Sequence, residues 1–145
     1  FRETPITLSG GGGLVSTARD YLRFCQCLLN GGMYLGERIL GRKTIELMLR
    51  NHLPGDMASM GQPRFSEMPY DGIGFGLGGS VLLDPAKANI IGSPGEFAWG
   101  GMASTAFFID PSEALAVVLM TQLVPSSLYP IRRDLRALVY QAIVD

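Results

Sequence analysis

The spacing of hydrophobic positions changes along the chain, and each change marks an element. Leu22, Cys25, Leu28 and Leu29 fall on one helical face. Ser16 or Thr17, followed by the acidic Asp20, supplies a start for that helix, and Ser16 with Asp20 lies near capping-box spacing. Asn30-Gly31-Gly32 supplies its stop. A second helix fits residues 42–50, with Ile45, Met48 and Leu49 inward. Residues 51–72 carry Pro54, Gly55, Gly61, Pro63, Pro69 and Gly72 and show no period, so this stretch reads as a functional rim rather than a tether. From Gly74 the pattern turns to strand through Phe75, Leu77 and Val81-Leu82-Leu83, and Asp84-Pro85 stops it. A second strand fits residues 104–109, and Asp110-Pro111-Ser112-Glu113 makes a turn. The third strand, residues 115–120, is apolar on both faces, as a central, doubly covered strand is. The last two pair as an antiparallel hairpin. Ser126-Ser127-Leu128-Tyr129-Pro130 opens a final helix, with proline tolerated in its first turn. Ile131, Leu135, Leu138 and Ala142 face the core there, while Arg132, Arg133 and Arg136 face water. The sum is an α+β architecture, with residues 1–145 read as one domain.

Composition narrows the function classes. Apolar residues make up 47% and charged residues 17%, against a usual charged share of about 25%, which excludes a disordered chain. Twelve basic and thirteen acidic residues leave a net charge of −1, so no electrostatic footprint points to nucleic acid or to an anionic membrane. The longest apolar run, residues 114–120, is far short of the ~20 residues that span a bilayer. Phe1-Arg2-Glu3-Thr4-Pro5 has neither the basic start nor the apolar stretch of a signal peptide. Without an initiator Met, the chain is expected to be processed or to come from something longer. Cys25 and Cys27 diverge on a helix, cannot bridge one another and read as two half-buried thiols. With the single His52 far away, they form no metal set, and no cofactor or metal is called for. Cysteine usage leaves the compartment open.

The familiar catalytic motifs fail one by one. Gly74-Phe75-Gly76-Leu77-Gly78-Gly79 has the letters of a dinucleotide fingerprint, but strand pattern follows where a helix N-terminus must hold the pyrophosphate. These glycines instead let the backbone pass close to its neighbours. The Gly10–Gly13 run lacks the Gly-Lys-Ser/Thr of a P-loop, no Ser sits in a Gly-x-Ser-x-Gly elbow, and no Ser lies three residues before a Lys. His52, in a Pro/Gly loop, reads as an ordinary surface histidine.

The order of short motifs is more telling. Gly-Gly-Leu-Val-Ser-Thr-Ala-Arg-Asp-Tyr (12–21), Gly-Phe-Gly-Leu-Gly (74–78), Trp-Gly-Gly (99–101), Phe-Ile-Asp-Pro (108–111) and Val-Val-Leu-Met-Thr-Gln (117–122) occur in sequence. This order resembles the C-terminal half of the serine β-lactamase-like superfamily, nearest the class C enzymes and the esterases built on that fold. The resemblance implies the C-terminal portion of the β-lactamase-like fold: antiparallel strands, a C-terminal helix packed on the sheet, and helices on the other side. It also implies a parent that attacks an ester or β-lactam carbonyl with an activated Ser and passes through an acyl-enzyme.

In such enzymes a Ser-x-x-Lys nucleophile and a Tyr-x-Asn or Tyr-x-Ser motif come first, and neither is present here. The third box, usually Lys-Thr-Gly or His-x-Gly, maps by resemblance onto Trp99, Gly100 and Gly101. Trp cannot offer a positive charge to an anionic substrate group as Lys does, which fits the esterase-like branch. The resemblance assigns substrate binding to Trp99, Gly100 and Gly101. To Met102 it assigns an oxyanion-binding backbone N–H on a strand running from Gly101. Residues 51–72 and 92–97 are expected to rim the pocket. The expected partners are a small ester or β-lactam in the parent, and either the missing N-terminal half or a second copy along the apolar edge of residues 115–120. Neither nucleic acid nor membrane is expected. A chain with no nucleophile is expected to be inactive alone; the alternative is a non-catalytic binding or assembly module on the same fold.

Overall fold

The computed structural model describes residues 6–7, 9–61, 69–126 and 128–144. The N-terminal pentapeptide, residues 62–68 of the long loop and Ser127 lie outside the described residues. Helix α1 (Ala18–Leu29) starts at Thr17 rather than Ser16: the Thr17 hydroxyl accepts the Asp20 N–H at 3.1 Å, which satisfies a first-turn donor. It stops where Gly31 and Gly32 adopt φ +64 and +93, and the Gly32 N–H donates back to the Cys27 carbonyl at 2.8 Å. A two-residue-per-strand hairpin follows, β1 (Met33–Tyr34) with β2 (Glu37–Arg38), and then α2 (Arg42–Met48). The long loop contains a 3-10 helix at Met57–Met60, capped by Asp56.

The main sheet is antiparallel, in the order β3 (Ile73–Phe75), β4 (Ser80–Leu82), β5 (Phe97–Gly100), β6 (Ala106–Asp110), β7 (Leu115–Leu119). A four-residue helix, α3 (Pro85–Ala88), lies between β4 and β5, and α4 (Ile131–Tyr140) closes the described fold. The single strand expected from Gly74 to Leu83 is therefore two strands. Gly78, at φ +99, turns the chain, and the Gly76 N–H donates to the Gly79 carbonyl at 2.8 Å. The neighbouring glycines fit tight gaps: a Cβ on Gly76 would stand 2.3 Å from the Met48 carbonyl oxygen, and one on Gly74 would stand 2.4 Å from Asn51 Oδ1.

Strand β7 is not central either. It ends the sheet among the described residues, and its apolar character comes from the layers on its two faces. Ala116 and Val118 pack against the α1 side, while Val117 lies opposite Phe108, whose ring stacks on Tyr140 of α4.

The main core joins Cys25, Leu28 and Ile45 of the helices to Val81, Phe97, Phe107 and Ile109 of the sheet. Burying each of the large side chains among these contributes roughly 1.5–3 kcal/mol. Cys25 and Cys27 are fully rather than half buried, and burial pushes the Cys25 thiol up to about 11, which leaves it chemically quiet. His52 is exposed, its Nε2 2.8 Å from the Leu47 carbonyl.

The opposite face of the sheet carries two buried carboxylates, and the expected orientation of α4 is corrected in part: Ile131 and Leu135 are half-buried as expected. Leu138 and Ala142 are exposed, while Arg132, Arg136 and Tyr140 turn toward the sheet; of the three arginines only Arg133 faces water. For Arg136 and Tyr140 the cause lies in Glu96 and Asp110, buried at 1% and 0% exposure. Carboxylates at that depth need charged or hydrogen-bonding partners; Arg136 and Tyr140, four apart on α4, supply them, while Arg132 on the same row reaches the Gly101 and Thr105 carbonyls.

Candidate active site at the end of strand β5

Trp99 and Gly100 are the last residues of β5, and the chain then folds into β6 through residues 101–105. The Trp99 indole is 41% exposed and meets the Phe75 ring edge-on at 5.0 Å. It is thus a half-open aromatic wall at the sheet end, not a core residue. The corner beneath it includes the start of the long loop: the His52 N–H donates to the Phe75 carbonyl at 2.8 Å, and Asn51 Oδ1 accepts the Phe75 N–H at 2.9 Å. Asp56 ties the same loop down by accepting from the Gly72 N–H at 3.1 Å and from Lys87. The Lys87 ammonium, with the Gly72 N–H, holds the Asp56 carboxyl down at about 2.

Met102 lies in the turn after the strand, not on a strand running from Gly101, and the residue is 79% exposed. The turn is closed by the Gly101 N–H donating to the Thr105 carbonyl at 3.0 Å and the Ser104 N–H to the Gly101 carbonyl at 3.1 Å. Ser104, wholly buried, takes φ +64 and donates its hydroxyl to the Leu123 carbonyl at 2.7 Å. The Ala103 carbonyl accepts from the Thr121 hydroxyl at 2.6 Å and from the Leu123 N–H at 3.1 Å. These bonds use the N–H groups of Gly101, Ser104 and Leu123; none engages that of Met102.

The two glycines make room for the chain's own side chains. A Cβ on Gly100 would stand 2.7 Å from the Arg132 guanidinium carbon, and one on Gly101 would stand 2.5 Å from Thr105 Oγ1. Arg132 Nη2 donates to the carbonyls of Gly101 at 2.7 Å and Thr105 at 3.1 Å. The reading of residues 92–97 as a pocket rim is corrected at its end, because Glu96 and Phe97 are buried. Glu96 instead receives Arg136 through Nε at 3.0 Å and Nη2 at 2.6 Å, and the Tyr140 hydroxyl at 2.8 Å.

Sequence reasoning missed Arg132, taking hydrophobic periodicity as the only guide to the buried face of α4. The spacing of Arg132, Arg136 and Tyr140 is the available signal, because residues four apart form one row along a helix. Among the described residues, no group of three His, Cys, Asp or Glu side chains is placed to hold a metal ion, and no helix is long and apolar enough to cross a membrane.

With this arrangement of sheet, turn and helix, comparison with known proteins is decisive. The family described as Beta-lactamase matches residues 2–141. The chain belongs to the beta-lactamase family. It is 38% identical over 125 residues to Protein Rv1367c of Mycobacterium tuberculosis, covering 83% of this chain and 30% of that protein. It is 31% identical over 113 residues to Esterase EstB of Burkholderia gladioli, covering 78% of this chain and 25% of the esterase. The solved structure of EstCE1, a hydrolase with promiscuous acyltransferase activity, superposes with a TM-score of 0.66 at 30% identity, over 85% of this chain and 29% of that one. Simvastatin Synthase (LovD) from Aspergillus terreus gives 0.62 at 25% identity, over 84% and 34%. The chain thus spans about a third or less of the length of these relatives. The expected α+β fold with antiparallel strands, and the kinship with β-lactamase-like esterases, hold.

Proposed function

We propose that this chain forms the C-terminal part of a serine hydrolase that cleaves carboxylic esters, or less readily β-lactams, through an acyl-enzyme. The observation that carries the proposal is the turn at residues 101–105: a firmly held hairpin end whose Met102 N–H is left out of the turn's own bonding, beside a half-open Trp99. A backbone N–H held rigidly in this way stabilises the charge that develops on a carbonyl oxygen, and removing one such donor costs about 10²–10³ in rate. Trp99 forms the acyl-pocket wall. Its neutral indole where Lys is usual favours uncharged acyl groups, and the names of Esterase EstB and EstCE1 support the ester reading. The nucleophilic Ser and its Lys come from a Ser-x-x-Lys segment outside these 145 residues, so the chain alone is inactive. The edge of β7 is covered by strands of that other segment.

Intact-mass analysis after exposure to a fluorophosphonate, with and without a short-chain ester, tests this directly. The 145-residue chain takes no adduct and hydrolyses nothing, whereas protein that also carries the Ser-x-x-Lys segment takes one adduct and turns over the ester faster than a cephalosporin. A stoichiometric adduct on the chain alone overturns the missing-nucleophile reading. No adduct on either leaves the fold as a non-catalytic binding or assembly module.

A further inference from the structure

Arg132 is placed to act on the Met102 N–H without touching substrate. Arg132 Nη2 donates to the Gly101 carbonyl at 2.7 Å, and that carbonyl belongs to the same peptide unit as the Met102 N–H. The unit is planar, and cis geometry among the described residues is confined to Val124-Pro125, so the carbonyl and the N–H point in opposite directions. The Gly101 carbonyl is held by the Ser104 N–H at 3.1 Å and by the shorter guanidinium bond, and fixing where it points fixes where the Met102 N–H points, which is away from α4. The same bond draws electron density toward the carbonyl oxygen and makes the N–H a stronger donor, as chained hydrogen bonds polarise one another. Two further contacts hold the guanidinium there. Nη2 also donates to the Thr105 carbonyl at 3.1 Å, bridging the two ends of the turn, and the bare Cα of Gly100 leaves the space that the guanidinium fills.

We propose that Arg132 is a positioning residue for ester hydrolysis: through the Gly101 carbonyl it orients and polarises the Met102 N–H that receives the oxyanion, while Gly100 is glycine to admit it. The inference rests on the reading of Met102 as the oxyanion donor. It assigns to α4 a part in the reaction beyond covering the sheet.

The test uses protein carrying the Ser-x-x-Lys segment, labelled with ¹⁵N-Met, before and after phosphonylation, which mimics the tetrahedral oxyanion. In the unsubstituted protein the Met102 amide proton moves downfield on phosphonylation. In R132Q most of that movement is lost, and kcat for a short-chain ester falls about 10- to 100-fold, up to the loss of one oxyanion donor, while KM changes little. R132K, which keeps a cation with several donors, recovers part of both readouts, and R133Q, on the exposed side of α4, behaves as the unsubstituted protein. Gly100→Ala, which displaces the guanidinium but keeps its charge, reproduces R132Q and carries the test if R132Q does not fold. If Met102 fails to respond in the unsubstituted protein, the oxyanion reading falls. If it responds there and equally in R132Q or Gly100→Ala, with kcat retained, the role of Arg132 is overturned while that reading stands.

Discussion

The Tyr140 hydroxyl lies 2.7 Å from Asp110 Oδ2, joining the last turn of α4 to the end of β6. The same hydroxyl lies 2.8 Å from Glu96 Oε2, so one side chain ties the helix to the entrance of β5 as well. Because β5 ends at the Trp99 turn, this polar anchor fixes the helix whose first turn carries Arg132. Burial pushes the Tyr140 phenol well above its usual range, and the Asp110 hydrogen bond pushes the same way. Burial alone would raise the Asp110 carboxyl. The hydrogen bonds from Tyr140, Ser93 and the N–H groups of Ser112 and Glu113 outweigh it and hold that carboxyl below its usual value.

Tyr140→Phe removes the bridge and leaves two buried carboxyls short of a partner, at a cost of about 1–3 kcal/mol. A depressed carboxyl stabilises the fold above its unfolded pKa, near 4 for Asp, and that contribution fades as pH falls through the lower folded value. Urea titrations from pH 7 to pH 2 will show the Phe variant less stable at neutral pH and flatter in its acid dependence below pH 4. Parallel pH profiles would mean that the Tyr140 bond does not set the Asp110 carboxyl.

Arg136→Met leaves Glu96 as an unpaired charge at 1% exposure. Breaking a buried pair from one side costs about 3–5 kcal/mol, whereas removing both charges is often near neutral. The double variant Glu96→Gln with Arg136→Met is therefore more stable than Arg136→Met alone. A double-mutant cycle from denaturation midpoints measures the coupling, and a double variant no better than the single one would contradict the pairing.

The glycines divide by what surrounds them. Gly76→Ala sets a methyl against the Met48 and Arg50 carbonyls and the Phe97 ring, at 2.3, 3.1 and 3.2 Å. Because two of those neighbours are backbone, the hairpin must shift, costing about 1–3 kcal/mol. Gly11→Ala meets nothing within 4 Å and stays within about 0.5 kcal/mol. Thermal melts of the two variants separate these cases.

What could be read from the sequence follows from which forces are local. The span of α1 was legible because its cap, its apolar row and its glycine stop lie within a few residues of one another. The turn inside residues 74–83 was hidden because nine of the ten are apolar or glycine, and the tight contacts that fold the hairpin come from Met48 and Asn51, far back in sequence. Trp99, Gly100, Gly101 and Met102 were singled out through motif order, and their roles stand as the proposal above. The inward turn of Arg132 and Arg136 was not, since its causes, the carbonyls of the 101–105 turn for Arg132 and the buried Glu96 for Arg136, exist only once the sheet has formed.

The exposed edge of β7 gives a last prediction. Among the described residues β6 is its one sheet neighbour, so half of its peptide groups face away from any strand. An apolar strand with an unpaired edge is a template for further pairing. Val118→Lys is a poor probe of that pairing, since Val118 packs against the core and its replacement disturbs the fold itself. Amide exchange reads the backbone without that complication. In protein carrying the Ser-x-x-Lys segment, amides across Leu115–Leu119 will exchange slowly at every position. In the 145-residue chain the outward half will exchange roughly tenfold faster or more when dilute, and slow again as concentration rises if two copies pair there. Equal, concentration-independent exchange in both proteins would show that no strand takes this edge.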